Sequence, residues 1–226
     1  MKLLLLGSGL LFSLLGLLAG NTYYPRDPEH TLAHVRRGTL RVGYTVAAPW
    51  VVPARPQPVG IEPDLVHAFA SSLGARIVWV PGTEQHLYEA LKQRELDLLI
   101  AGTTDESPWK EQVGFTRAYV QAAVYVGAAP GARTAPDLTG QRVAIAGGTD
   151  LGHYVRQRES VPVVLAQLPG GHPLVAGYDW QLRRWGYRRL GKPLKQENHV
   201  LAVPPGENAW QLTLETFLYQ HPAQLD

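Results

Sequence analysis

The chain has no cysteine among its 226 residues. Disulfides, thiolate chemistry and lipidation of a cysteine are therefore excluded. Nor does one sign of charge dominate: Lys plus Arg total 21, Asp plus Glu 19, and the net charge is +2. So even a balance exerts no strong pull toward nucleic acid or a membrane surface. Charged residues make up only 18% of the chain and hydrophobic ones 45%, which argues against disorder and fits a globular protein. Internal repeats are absent. There is no Ser/His/Asp order, phosphate-binding loop or paired-carboxylate pattern on which to build a catalytic site. His30 and His34 stand four apart on an expected helix but lack a third ligand nearby, so they read as surface histidines. No metal and no cofactor are expected.

What is present begins with an export signal. Met1-Lys2 is followed by an apolar, Leu-rich stretch from Leu3 to Gly20 with small residues at Ala19-Gly20, the pattern of a secretory signal peptide. The stretch is also about as long as a minimal membrane span, so an uncleaved anchor is the competing expectation. Leu-Leu-Ala-Gly resembles the start of a lipoprotein signal, but Asn21 stands where the lipidated cysteine would be. Residues 1–20 are set aside from fold reasoning, and the expected location is the periplasm or cell envelope.

Residues 21–38 read as a tether and a short helix, with Asp27 as N-cap, Pro28 at the first helical position and Gly38 as the stop. A β-α-β-α-β rhythm follows. Thr39 to Val46 is a strand, and the helix after Gly60 carries Leu65, Phe69 and Leu73 at four-residue spacing and ends at Gly74. Ala75 to Val80 is a strand, Glu84 to Arg94 a helix and Leu96 to Ala101 a strand, which together predict a parallel sheet. Tyr119 to Ala128 is a long strand, and Pro130-Gly131-Ala132 reads as a hinge. Strands are expected again at 141–146, 161–166, 174–177 and 199–203, with helices from Asp150 to about Arg158, over 180–185 and over 208–219. The resulting expectation is two α/β lobes, residues 39–128 with 200–226 and residues 134–198, with crossings near 128–134 and 196–200.

Residues 95–119 carry the most information. A buried strand ends in Ala101-Gly102-Thr103-Thr104, a polar loop runs through Trp109, and Phe115 opens the next element. Small side chains and backbone N–H groups at the carboxyl end of a strand are how α/β proteins build small-ligand sites. This run, with Leu40-Arg41-Val42-Gly43, Gly60-Ile61-Glu62-Pro63-Asp64-Leu65, Asp137-Leu138-Thr139-Gly140 and Gly148-Thr149, resembles the family 3 extracellular solute-binding proteins over residues 37–220. The resemblance implies a periplasmic-binding-protein-like fold with a double crossover hinge. By the same resemblance the second lobe looks short, with Gln167 to Pro173 standing where the family usually has a longer helical stretch. The N-terminal lobe also resembles the binding domain of a membrane-bound lytic transglycosylase.

By that resemblance, Trp50 occupies the place of an aromatic that stacks on ligand; a loop-anchoring core tryptophan is the equal alternative. Gly102, Thr103 and Thr104 would offer hydroxyls and N–H groups, and Gly148-Thr149 matches a ligand-contacting loop at a helix N-terminus. Asp150 serves equally well as the cap of that helix. The family's acidic partner for a ligand ammonium falls near Asp179, with Tyr178 the other candidate and an N-cap role for Asp179 the plainer account. Trp109 is the departure. The family carries there an Arg that grips the ligand α-carboxylate, and an indole cannot replace a bidentate cation. Weak or no binding of free α-amino acids is therefore expected. The stretch from Arg183 to Lys195 mixes cations with aromatics as nucleic-acid surfaces do. Export argues against that partner and leaves a solvated face, or a patch for anionic lipid or a docking protein.

The function implied is an exported, monomeric solute-binding protein that captures a small polar solute for an ABC-type importer and its membrane permease. The alternatives are a sensor or accessory domain of the same fold that has lost solute binding, and a dehydratase-like enzyme using Glu62 or Asp179.

Overall fold

The computed structural model describes residues 25–134 and 137–225. The expected signal peptide and most of the tether lie outside the described residues. Among those described, no helix is long and apolar enough to cross a membrane.

The chain starts against its own end: Ala209 N–H donates to the Arg26 carbonyl at 3.0 Å. Helix α1 (Thr31–Val35) begins later than Pro28, because His30 sits in the left-handed region at φ 57°. Asp27 still reaches this helix, accepting the Leu32 N–H at 2.8 Å. Then come β1 (Thr39–Tyr44), α2 (Ile61–Leu73), β2 (Arg76–Pro81), α3 (Glu84–Lys92), β3 (Leu98–Ile100) and, after a 3-10 turn at Pro108–Glu111, β4 (Gly114–Phe115). Leu65 and Phe69 bury one face of α2, and Gly74 ends it at φ 64°, where a Cβ is disfavoured. Arg41 of β1 clamps Asp97, donating from Nη2 to Oδ1 at 2.6 Å and from Nε to Oδ2 at 3.1 Å. The acid that precedes β3 is thus a structural anchor, with the fully paired geometry a buried carboxylate needs.

The chain then builds a second sheet from β5 (Val120–Ala128), β6 (Arg142–Ala146), β7 (Val161–Leu165), β8 (Leu174–Tyr178) and β9 (Arg188–His199), with α4 (Leu151–Gln157) and α5 (Asp179–Arg184) beside it. It returns through β10 (Ala202–Val203) and ends with α6 (Asn208–Gln220). The first sheet runs β2-β1-β3-β10-β4, with β1 parallel to β2 and β3 and β10 antiparallel to its neighbours. The second runs β7-β6-β8-β5-β9, with β6 parallel to β7 and β8 and β5 antiparallel to β8 and β9. Each lobe has its own core. One gathers Leu40, Val42, Phe69, Ile100 and Trp210, the other Val126, Val143, Ile145 and Val155.

One expectation is corrected here. The long strand β5 lies wholly in the second sheet, paired with β9 from Val120↔His199 to Ala128↔Arg188. The first crossing is therefore the step from β4 into β5, not residues 128–134. The second leads from His199 into β10. Most of the charged stretch forms β9, paired with β5. Arg183, Arg184, Arg188, Arg189 and Lys192 are exposed, as a solvated face requires, and of the cations in this stretch Lys195 alone lines the interlobe cleft.

Candidate functional site

Between the lobes lies a cavity of about 780 Å³, within the range that holds small molecules. Its floor is built where the chain crosses from sheet to sheet. Trp50, in the loop after β1, is 3% exposed. Its indole lies 3.8 Å from the His199 ring, centroid to centroid, and meets Tyr119 and Tyr178 edge-on. Trp50 Nε1 donates to Tyr178 Oη at 3.0 Å, a bond from the first lobe to the second. Gly102 follows β3 at φ 63°, and a Cβ there would lie 2.9 Å from Trp50 Cδ1. Glycine is required on both counts.

Behind this floor Glu62, in the first turn of α2, is fully buried. It accepts the Gly102 N–H at 3.0 Å and the Tyr119 hydroxyl at 2.8 Å. Burial pushes its carboxyl pKa up, and these two hydrogen bonds oppose the shift only in part. Burial likewise holds the Tyr119 hydroxyl well above its ordinary value, with the Glu62 charge adding to the effect.

The wall from β9 is charged. Side chains alternate across a strand, so Lys195, Glu197 and His199 share one face, and all three line the cleft. Lys195 Nζ is 2.8 Å from Asp150 Oδ2 and 2.8 Å from Glu197 Oε1. Tyr178 Oη donates to Glu197 Oε2 at 2.7 Å, and His199 Nε2 lies 3.3 Å from the same oxygen. The other His199 nitrogen, Nδ1, is 3.2 Å from the Gly102 carbonyl. Burial alone would raise the Glu197 pKa, but His199, Lys195 and Tyr178 together pull it down to about 2. Burial would lower the Lys195 pKa, and its bonds to Asp150 and Glu197 reverse that into a rise. Burial, reinforced by Glu197, raises the Tyr178 hydroxyl.

Trp50, Gly102, Thr104, Gly148 and Thr149 line this cleft. Thr103, Trp109 and Asp179 are not among the residues lining it. Thr103 is buried, with its hydroxyl 2.9 Å from Tyr88 Oη. Trp109 stacks on Tyr88, ring centroids 4.7 Å apart and planes 5° from parallel. Asp179 pairs with Arg183 and Arg189, and Tyr178 rather than Asp179 is the N-cap of α5. The Gly102 N–H, read from the sequence as open to a ligand, is taken by Glu62. Thr149 Oγ1 donates to the Ala146 carbonyl at 2.8 Å. Sequence reasoning missed Lys195, Glu197 and His199. Their period-two spacing at the end of a charged run was the available signal.

Residues 40–223 match the family described as bacterial extracellular solute-binding proteins, family 3. No curated protein sequence matches the chain. Among solved structures, it is similar to an ancestral cationic amino acid solute binding protein, AncCDT-1. The TM-score is 0.71 at 20% identity, over 84% of this chain and 93% of that one. A putative binding component of an ABC transporter from Wolinella succinogenes, complexed with lysine, aligns with a TM-score of 0.60 at 19% identity, covering 81% and 90%. The arginine-bound form of a truncated ArgBP from T. maritima gives 0.56 at 20%, covering 83% and 98%. Two α/β lobes facing one another across a cleft, with a family match over most of the length, make this chain a member of the bacterial extracellular solute-binding proteins, family 3.

Proposed function

We propose that the protein is exported, captures a small polar solute in the interlobe cleft and presents it to an ABC-type importer in the membrane. The observation that carries this reading is the cleft itself, walled by both lobes and lined by aromatic, hydroxyl and charged groups. Trp50, Thr104, Gly148 and Thr149 are the assigned ligand contacts. Tyr178, the alternative to Asp179, is kept as a contact, and Glu84 and Asp150 are added from the lining. Relatives solved with lysine or arginine bound support a nitrogen-rich solute. Capture works by hinge closure of one lobe on the other, and the reading assigns no turnover. A thermal-shift screen of amino acids, amines, small carboxylates, sugars and peptidoglycan fragments tests it. A ligand at about 100 times its Kd stabilises by about 2.7 kcal/mol, which raises Tm by roughly 5–10 °C in a chain of this size.

One observation favours a second reading, an accessory domain without solute. Trp50, Tyr178, Glu197, His199 and Lys195 satisfy one another across the cleft floor. No shift with any compound would favour this second reading.

A further inference from the structure

The charge balance of the cleft narrows the solute class. Among the described residues that line it, Glu84, Asp150 and Glu197 carry carboxylates, Lys195 carries the one ammonium, and no guanidinium is present. Lys195 is already committed, its Nζ 2.8 Å from both Asp150 and Glu197. A ligand carboxylate therefore finds no free cation. Entering the cleft, it would give up its water and meet three carboxylates, with the one ammonium already paired to two of them and His199 Nε2 held 3.3 Å from Glu197, so its own charge would go uncompensated. Trp109, which the sequence resemblance aligns with an Arg, supplies no cation and lies outside the cleft lining, stacked on Tyr88.

A cation meets the opposite situation. Glu84 stands in the first turn of α3 with no ion pair among the described residues. The Asp150 side chain is 57% exposed and bonds Lys195 through Oδ2, which leaves Oδ1 available to a donor. Trp185 adds an indole to the lining, and aromatic faces attract ammonium and guanidinium groups. These carboxylates and this indole lie in a cavity that both lobes share, so they form part of a built interlobe site and are more than an isolated acidic surface cluster.

We propose that the cleft takes a small organic cation without a carboxylate, an alkylamine or alkylguanidine, in preference to the matching α-amino acid. The proposal rests on the reading of the cleft as a solute site. Its test is isothermal titration of the full chain with two matched pairs, agmatine against arginine and cadaverine against lysine. At least one amine should bind ten or more times tighter than its amino-acid partner, as expected when one ligand of a pair carries an uncompensated charge. Glu84→Gln should weaken that amine about five- to tenfold, with the circular dichroism spectrum unchanged. An amino acid that binds as tightly as its amine overturns the proposal, as does an affinity unmoved by Glu84→Gln. If all four fail while a sugar or carboxylate in the thermal screen binds, this inference falls and the solute-binding reading stands. If nothing in that screen binds, both fall.

Discussion

Glu197 concentrates more of the cleft's electrostatics than any other side chain, since it accepts from Tyr178 and holds Lys195 and His199 beside it. Its folded pKa of about 2 lies below the ordinary 4.5. The sign follows from linkage: a depressed carboxylate contributes stability above its unfolded pKa and loses it as pH falls toward the folded one. Glu197→Gln should cost about 2 kcal/mol near neutrality, the low end for breaking a partly buried charge pair. The difference between parent and variant in urea denaturation should shrink as pH falls from 4.5 to about 2. An undiminished difference at the acid end of that window would assign the cost to packing instead. Glu62 has the opposite sign, because its pKa is raised. Its burial penalises the folded state more as pH rises through the unfolded pKa, so the two acids partly offset one another.

At the scale of elements, α6 locks the first lobe. Trp210 is fully buried, its Nε1 donates to the Asp97 carbonyl at 2.8 Å, and its ring lies 5.3 Å from Phe69. Trp210→Ala should destabilise by about 3–5 kcal/mol in chemical denaturation. Solute affinity should be unchanged, because Trp210 is not among the cleft residues. A loss below about 1 kcal/mol would mean that α6 docks mainly through other contacts. Much of this architecture was legible from the residues. The spacing of Leu65 and Phe69 with Gly74 at the end marked α2, and the apolar run before Gly102 marked β3. What was not legible depends on long-range pairing. Alternation in Val120–Ala128 says that a strand exists but not which sheet receives it, so the first crossing was misplaced. β9 was hidden because Arg188–His199 is mostly polar and is held by the apolar face of β5 rather than by its own composition. The same reason hid the Lys195, Glu197 and His199 wall, whose members matter only once that strand turns them inward.

For the whole molecule, the two crossings are short and adjacent: Tyr119 N–H donates to the His199 carbonyl at 2.9 Å. Both strands that carry the chain across belong to the second sheet, so that lobe should move as one body. A bound solute should slow amide hydrogen exchange at Gly102–Thr104 and at Gly148–Asp150 together, leaving the β6–β7 pair unchanged. Protection on one wall alone would mean that the solute sits on a single lobe. The close packing of Trp50 against His199, the last residue of β9, has one more consequence. It puts the proposed recognition surface on the fulcrum. On the proposed reading, a substitution at either ring should alter the grip on the solute and the resting angle between the lobes in the same stroke, so affinity and motion should not separate from that end. They should separate from the lip. Glu84 makes no ion pair with the floor network among the described residues, so on the proposed reading a change of charge there should shift selectivity and leave the Trp50–His199 contact in place.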